Sequence, residues 1–134
     1  MNCMGVVNMK QLSANECITR ILTDINKRKS IDYADKNSVR RYNAAMDRII
    51  ERANYLCDNY PDQMALFTAL LYNPDYSIAA TCTSILFGLK NATKEHKLAA
   101  LASARQLLCR DLNGIEEYIW TVNIERWENQ LQNE

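Results

Sequence analysis

His96 is the chain's single histidine, and it stands in the charged run Thr93-Lys94-Glu95-His96-Lys97. As a general base it would need an orienting acid and a nucleophile within hydrogen-bond reach. Glu95 is the adjacent residue, so on a helix it points about 100° away. A solvated first turn of a helix accounts for His96 more simply. Glu116 and Glu117 form a carboxylate pair of the kind that works as acid and base or holds a metal. Adjacent helical side chains diverge, however, and no His or Asp three or four residues away completes a site. Acidic residues at a helix start complement the positive end of its dipole, and that explains the pair. There is no Gly-rich phosphate loop, no G-x-S-x-G and no H-E-x-x-H. We therefore expect no catalytic residue, no metal ligand and no cofactor, and a protein that is not an enzyme.

The cysteines, at 3, 17, 57, 82 and 109, are odd in number and include no C-x-x-C pair. Neither a closed disulfide framework nor a zinc knuckle is suggested. Cys17, Cys57, Cys82 and Cys109 fall in apolar helical stretches and read as small buried hydrophobes in a reducing compartment. Basic residues cluster at Lys27-Arg28-Lys29 and recur at Lys36, Arg40, Arg41, Arg48 and Arg52. Interleaved Asp47 and Glu51 blunt that field, so nucleic-acid binding is not expected. Tyr42 and Asn43 are candidates for a pocket wall, although Tyr42 also lies on an apolar stripe that makes it a core residue with its hydroxyl at the rim.

Six helices must position these residues. Ser13 and Glu16 make a capping box, followed by Cys17, Ile18, Ile21, Leu22 and Ile25 at one-face spacing. The second helix, from near Ser38, carries Val39, Tyr42, Met46, Ile49, Ala53, Leu56 and Tyr60 at steps of three and four. Pro61 stops it and opens a third, with Met64, Phe67, Leu70 and Leu71 as its buried face. Asn73-Pro74-Asp75 forms a turn, because a residue before proline is pushed out of the helical region. The fourth helix carries Ile78, Cys82, Ile85, Leu86 and Leu89, and its low polar content predicts that it is the most buried. The fifth, capped by Thr93, presents Leu98, Leu101, Ala102 and Leu108 among many alanines. The sixth begins after Gly114. On it Trp120, Ile124, Trp127 and Leu131 form one apolar stripe, Ile115, Tyr118 and Val122 the opposite one, and Glu117, Glu125 and Glu128 a flank between them.

The chain has 134 residues, enough for one compact domain, 1–134, with residues 1–11 a candidate flexible arm. Gly and Pro total 5, where ordinary usage would give about 16, so a turn-rich β architecture is excluded. The apolar patch Met4-Gly5-Val6-Val7 is too short for a secretory h-region and no basic n-region precedes it. No apolar run reaches a membrane-spanning length, and the expected location is the cytoplasm. Formal net charge is zero, with 16 basic and 16 acidic residues. That neutrality hides opposites: residues 1–60 sum to +3 and 61–134 to −3, and in 111–134 six carboxylates face Arg126 alone.

The segment Met64 to Ala80, a leucine-rich helix, the Asn73-Pro74-Asp75 turn and a second helix opening on Ile78 with alanines, resembles a HEAT-type repeat. Such helical pairs cannot bury their apolar faces alone and stack into arrays. The chain departs from the pattern at Ala79, where HEAT repeats commonly place arginine. Over residues 12–128, the run Arg41-Tyr42-Asn43-x-x-Met46-Asp47-Arg48-Ile49 and the Asn-Pro-Asp hairpin are similar to a small bacterial HEAT-like family catalogued only as a domain of unknown function. The resemblance implies an all-helical domain and bacterial origin, and it implies no catalytic activity. It also implies kinship with small stand-alone proteins that neutralise secreted toxins, an analogy of fold and not of site.

These readings combine into an expectation. The chain is an all-α domain of stacked HEAT-like hairpins that binds a protein partner, as an immunity protein neutralising a cognate toxin, with a basic nuclease domain the suited target. Glu117, Trp120, Glu125, Trp127 and Glu128 are the expected partner contacts, since tryptophan anchors and acidic rims suit a basic partner. The alternative is an adaptor or regulatory scaffold binding an endogenous protein or peptide. A self-partner is left open by the second apolar stripe of the last helix, so oligomeric state stays undetermined.

Overall fold

Polar caps set every long helix. The structure, a computed structural model, describes residues 11–134; Cys3, the patch at 4–7 and nearly all of the expected arm lie outside the described residues. Ser13 caps α1 (Ala14–Arg28), its Oγ accepting from the Glu16 amide at 3.1 Å while Glu16 accepts from the Ser13 amide at 2.9 Å. Asp35 caps α2 (Lys36–Asn59) and Asp75 caps α4 (Tyr76–Gly88). Thr93 with His96 opens α5 (Lys94–Leu107), and Asn113 with Glu116 opens α6 (Gly114–Gln132). Each box satisfies amides that a helix start leaves without partners. Between α2 and α4 the chain runs through a 3-10 turn at Pro61–Gln63, the single turn α3 (Ala65–Thr68) and a second 3-10 turn at Ala69–Tyr72. Among the described residues there is no strand.

Side-chain pairs give the topology. Asp24 meets Arg48 and Arg28 meets Tyr42, so residues advancing along α1 retreat along α2: the two are antiparallel. Thr83 with Ser103, and Asn73 with Arg110, set α4 antiparallel to α5 in the same way. Arg105 with Glu128, and Lys97 with Glu134, do so for α5 and α6. Contacts from Tyr76 to Trp120 and from Phe87 to Trp127 run in step, so α6 lies parallel to α4. The result is an all-helical stack of antiparallel hairpins with α6 packed along α4 and α5 as its last layer. One core runs through it, with Ile21, Ile49, Leu56, Phe67, Leu71, Leu86 and Leu107 almost wholly buried.

Three local expectations change. The third helix is not continuous: 3-10 turns flank a single α-helical turn, and Leu70 is only half-buried while Met64, Phe67 and Leu71 enter the core. On α5, Leu98 and Ala102 face outward, and the packed face is Ala100, Leu101, Ser103, Ala104 and Leu107. Leucines lie on both sides of that helix, so spacing alone does not choose, whereas small side chains allow close approach to α4. Cys109, finally, is exposed in the turn after α5, while Cys17, Cys57 and Cys82 are buried. Burial pushes the Cys82 thiol up to about 12. The fourth helix is indeed the most deeply set, with Ala79, Cys82, Thr83, Ile85, Leu86 and Phe87 all buried. Among the described residues no helix is long and apolar enough to cross a membrane.

Candidate protein-binding face

α6 divides its two apolar stripes between core and solvent. Trp120 and Trp127 are 2% and 6% exposed, and Ile124 and Leu131 pack partly against the core beside them. Trp127 stacks on Phe87, and Trp120 meets Trp127 edge-on at 6.0 Å. The Trp120 indole N–H donates to the Tyr76 hydroxyl at 2.8 Å, which satisfies its polar atom inside the body. Burial raises the Tyr76 hydroxyl above its ordinary pKa, against the lowering effect of that bond. The two tryptophans expected to contact a partner are therefore core residues, closing the last layer of the stack. Their type suited either role, and spacing did not decide between them.

The opposite stripe remains uncovered. Ile115 is 74% exposed, Tyr118 70%, Ile119 46% and Val122 38%. They form a ridge along the first two turns of α6, and Ile119 joins it although spacing had named only the other three. Single exposed apolar residues are ordinary, whereas a contiguous ridge of four on one helix is the feature of this surface that would suit a partner.

The carboxylates around the ridge sort into two groups. Glu128 pairs with Arg105 at 2.5 Å, Glu134 with Lys97 at 2.7 Å, and Glu116 is held in the capping box of Asn113. Asp111, Glu117 and Glu125 are exposed and make no side-chain hydrogen bond or ion pair among the described residues. Of the expected contacts, Glu117 and Glu125 are thus available, Glu128 is engaged internally, and Glu125 lies one turn beyond Val122 at the end of the ridge. Arg126 follows the ridge and donates to Asn123 at 3.0 Å.

The remaining candidates have contacts within the fold. His96 receives the Thr93 amide on Nδ1 at 3.2 Å, so its ring completes a helix cap. Among the described residues no group of three or more His, Cys, Asp and Glu side chains is placed to hold a metal ion. Arg48 reaches the buried Asp24 through Nε and Nη2 at 3.2 and 2.9 Å, and Arg52 pairs with Glu51 at 2.6 Å, so this basic face is partly neutralised from within. No family, no curated protein and no solved structure matches this chain.

Proposed function

We propose that this chain is a non-enzymatic protein-binding module, a bacterial immunity protein whose α6 ridge docks a basic toxin domain and neutralises it. The observation that carries the reading is the exposed ridge Ile115, Tyr118, Ile119 and Val122 on a helix whose flank carries the carboxylates Glu117 and Glu125, which have no ion-pair partner among the described residues. An apolar strip supplies the desolvated centre of an interface, and the carboxylates steer and select a partner of opposite charge. Charge is also what disfavours a second copy as the occupant. Its own α6 would bring the same acidic flank.

The test is co-expression with the growth-arresting product of the neighbouring gene, followed by co-purification. Rescue with a stable complex supports the reading. Tyr118→Glu on the ridge should abolish capture, and Glu125→Lys should slow association most at low salt. A complex without rescue would assign the protein to the scaffold class. Capture unaffected by both substitutions would remove α6 as the docking face.

A further inference from the structure

Arg28, the last residue of α1, is a half-buried cation with no ion pair among the described residues. The other half-buried arginines all have strong acceptors: Arg48 the Asp24 carboxylate, Arg52 the Glu51 carboxylate, and Arg110 the carbonyls of Asn73 and Pro74. Arg28 has only the Tyr42 hydroxyl, to which Nη2 donates at 2.6 Å, and the face of the same ring, 4.2 Å from its guanidinium carbon. Its Nε is buried with no hydrogen-bond partner among the described residues, as is that of Arg52, but Arg52 has the Glu51 carboxylate and Arg28 has none. A buried donor left unmade is costly, and more so on a charged group.

The surroundings of Arg28 are concave. A cavity of about 200 Å³ opens between α1, α2 and α4, lined by Arg28, Lys29, Tyr42, Tyr76, Ser77 and Thr81. Lys29 is committed to Asp75, which also caps α4, so the local charge left over is that of Arg28. Four hydroxyls complete the wall. Those of Tyr42 and Tyr76 already accept, from Arg28 and Trp120, and so retain their protons for donation. Those of Ser77 and Thr81 make no hydrogen bond among the described residues. A planar guanidinium fork among hydroxyl donors matches an acceptor-rich anion with several oxygens better than a single carboxylate.

We infer that this cavity binds a tetrahedral oxyanion, a phosphate or phosphate monoester, on Arg28 with hydroxyl donors from Tyr42, Ser77 and Thr81. The site is built from α1, α2 and α4 and does not depend on what docks on α6. Binding would give the orphaned guanidinium its counter-charge.

The experiment follows the Arg28 Nε–Hε signal by NMR in the full chain at constant ionic strength, titrating inorganic phosphate, phenyl phosphate or acetate. Saturable shifts of that signal and of the Ser77 and Thr81 amides with phosphate, half-complete by about 10 mM, are expected. Phenyl phosphate binding more tightly than inorganic phosphate would identify an ester as the ligand, and equal binding would identify the free ion. Arg28→Gln should weaken binding about tenfold or more, with Arg28→Lys between. A non-saturating response of the wild-type protein would overturn the inference whether or not the variants fold. So would acetate binding as tightly as phosphate, or shifts that survive in Arg28→Gln.

Discussion

Trp127 lies flat on Phe87, with ring centroids 4.4 Å apart and planes within 4°. The stack joins the last helix to the most buried one, so the aromatic underside of α6 holds it to α4, in addition to the ion pairs Arg105–Glu128 and Lys97–Glu134 that tie it to α5. Replacing Trp127 with Ala should cost about 3–5 kcal/mol, since both the transfer energy and a cavity are lost. Replacing Tyr118, on the exposed side of the same helix, with Ala should change stability by no more than about 0.5 kcal/mol. Urea denaturation of the two variants measures the difference. Similar losses in both would contradict the division of α6 into a packed and a free stripe.

How far α6 was readable follows from the same pair. Period 3.6 separates two apolar stripes correctly, because 100° per residue is a property of the helix itself. Which stripe turns inward depends on Phe87 and Tyr76, residues 40 and 44 positions upstream of their partners, and local spacing carries no such information. The packed face of α5 is ambiguous in sequence for a related reason: leucines lie on both sides of it, and the buried contact of Ser103 is with Thr83 on another helix. The starts at Ser13 and Thr93 are legible, because capping acts within four residues, whereas the second helix, expected from near Ser38, starts at Lys36 with Asp35 as its cap. The Arg28 cavity was half legible. Lys27-Arg28-Lys29 as a helix end and Tyr42 as a rim aromatic are both visible, but their meeting requires the register of α1 against α2.

Thr83 and Ser103 share a buried hydrogen bond of 2.7 Å between α4 and α5, and Ser103 also donates toward the Leu71 carbonyl at 3.4 Å. Their removal should therefore be unequal. Thr83→Val leaves Ser103 its carbonyl, whereas Ser103→Ala takes from Thr83 its one side-chain partner. The serine variant should lose about 1–3 kcal/mol and the threonine variant less. The double variant should be less destabilised than the two losses added, with a coupling of about 0.5–1.5 kcal/mol. Strict additivity in a double-mutant cycle would show that the hydroxyls do not interact.

Asp75 is both the cap of α4 and the ion-pair partner of Lys29. Hydrogen bonding to Lys29, opposed by partial burial and aided by the Ser77 amide, holds its carboxyl below the ordinary value of 3.8. A depressed folded-state pKa stabilises the native chain above the unfolded value, and that gain is lost as pH falls through the folded one. Both side chains are over a third exposed, 39% and 35%, so the pair should contribute only about 0.5–1 kcal/mol. The stability gap between the native sequence and Lys29→Met should be level from neutral pH down to about 5 and close as the acid range below 3.8 is entered. A gap that persists unchanged in acid would assign the effect of Lys29 to packing instead of charge.

Gly88 ends α4 without needing to be glycine. Its φ is not positive, and a Cβ built on it meets nothing within 4 Å. Neither conformation nor space therefore opposes a side chain, and alanine removes backbone freedom from the unfolded chain that glycine would otherwise lose on folding. Gly88→Ala should raise stability by about 0.4–1 kcal/mol. In urea the midpoint should move up while the slope stays constant, the pattern of a native state unchanged in compactness. A lower midpoint would mean that the bend from α4 into Leu89 uses conformations near Gly88 that alanine cannot share, and that the end of this helix is set by the glycine after all.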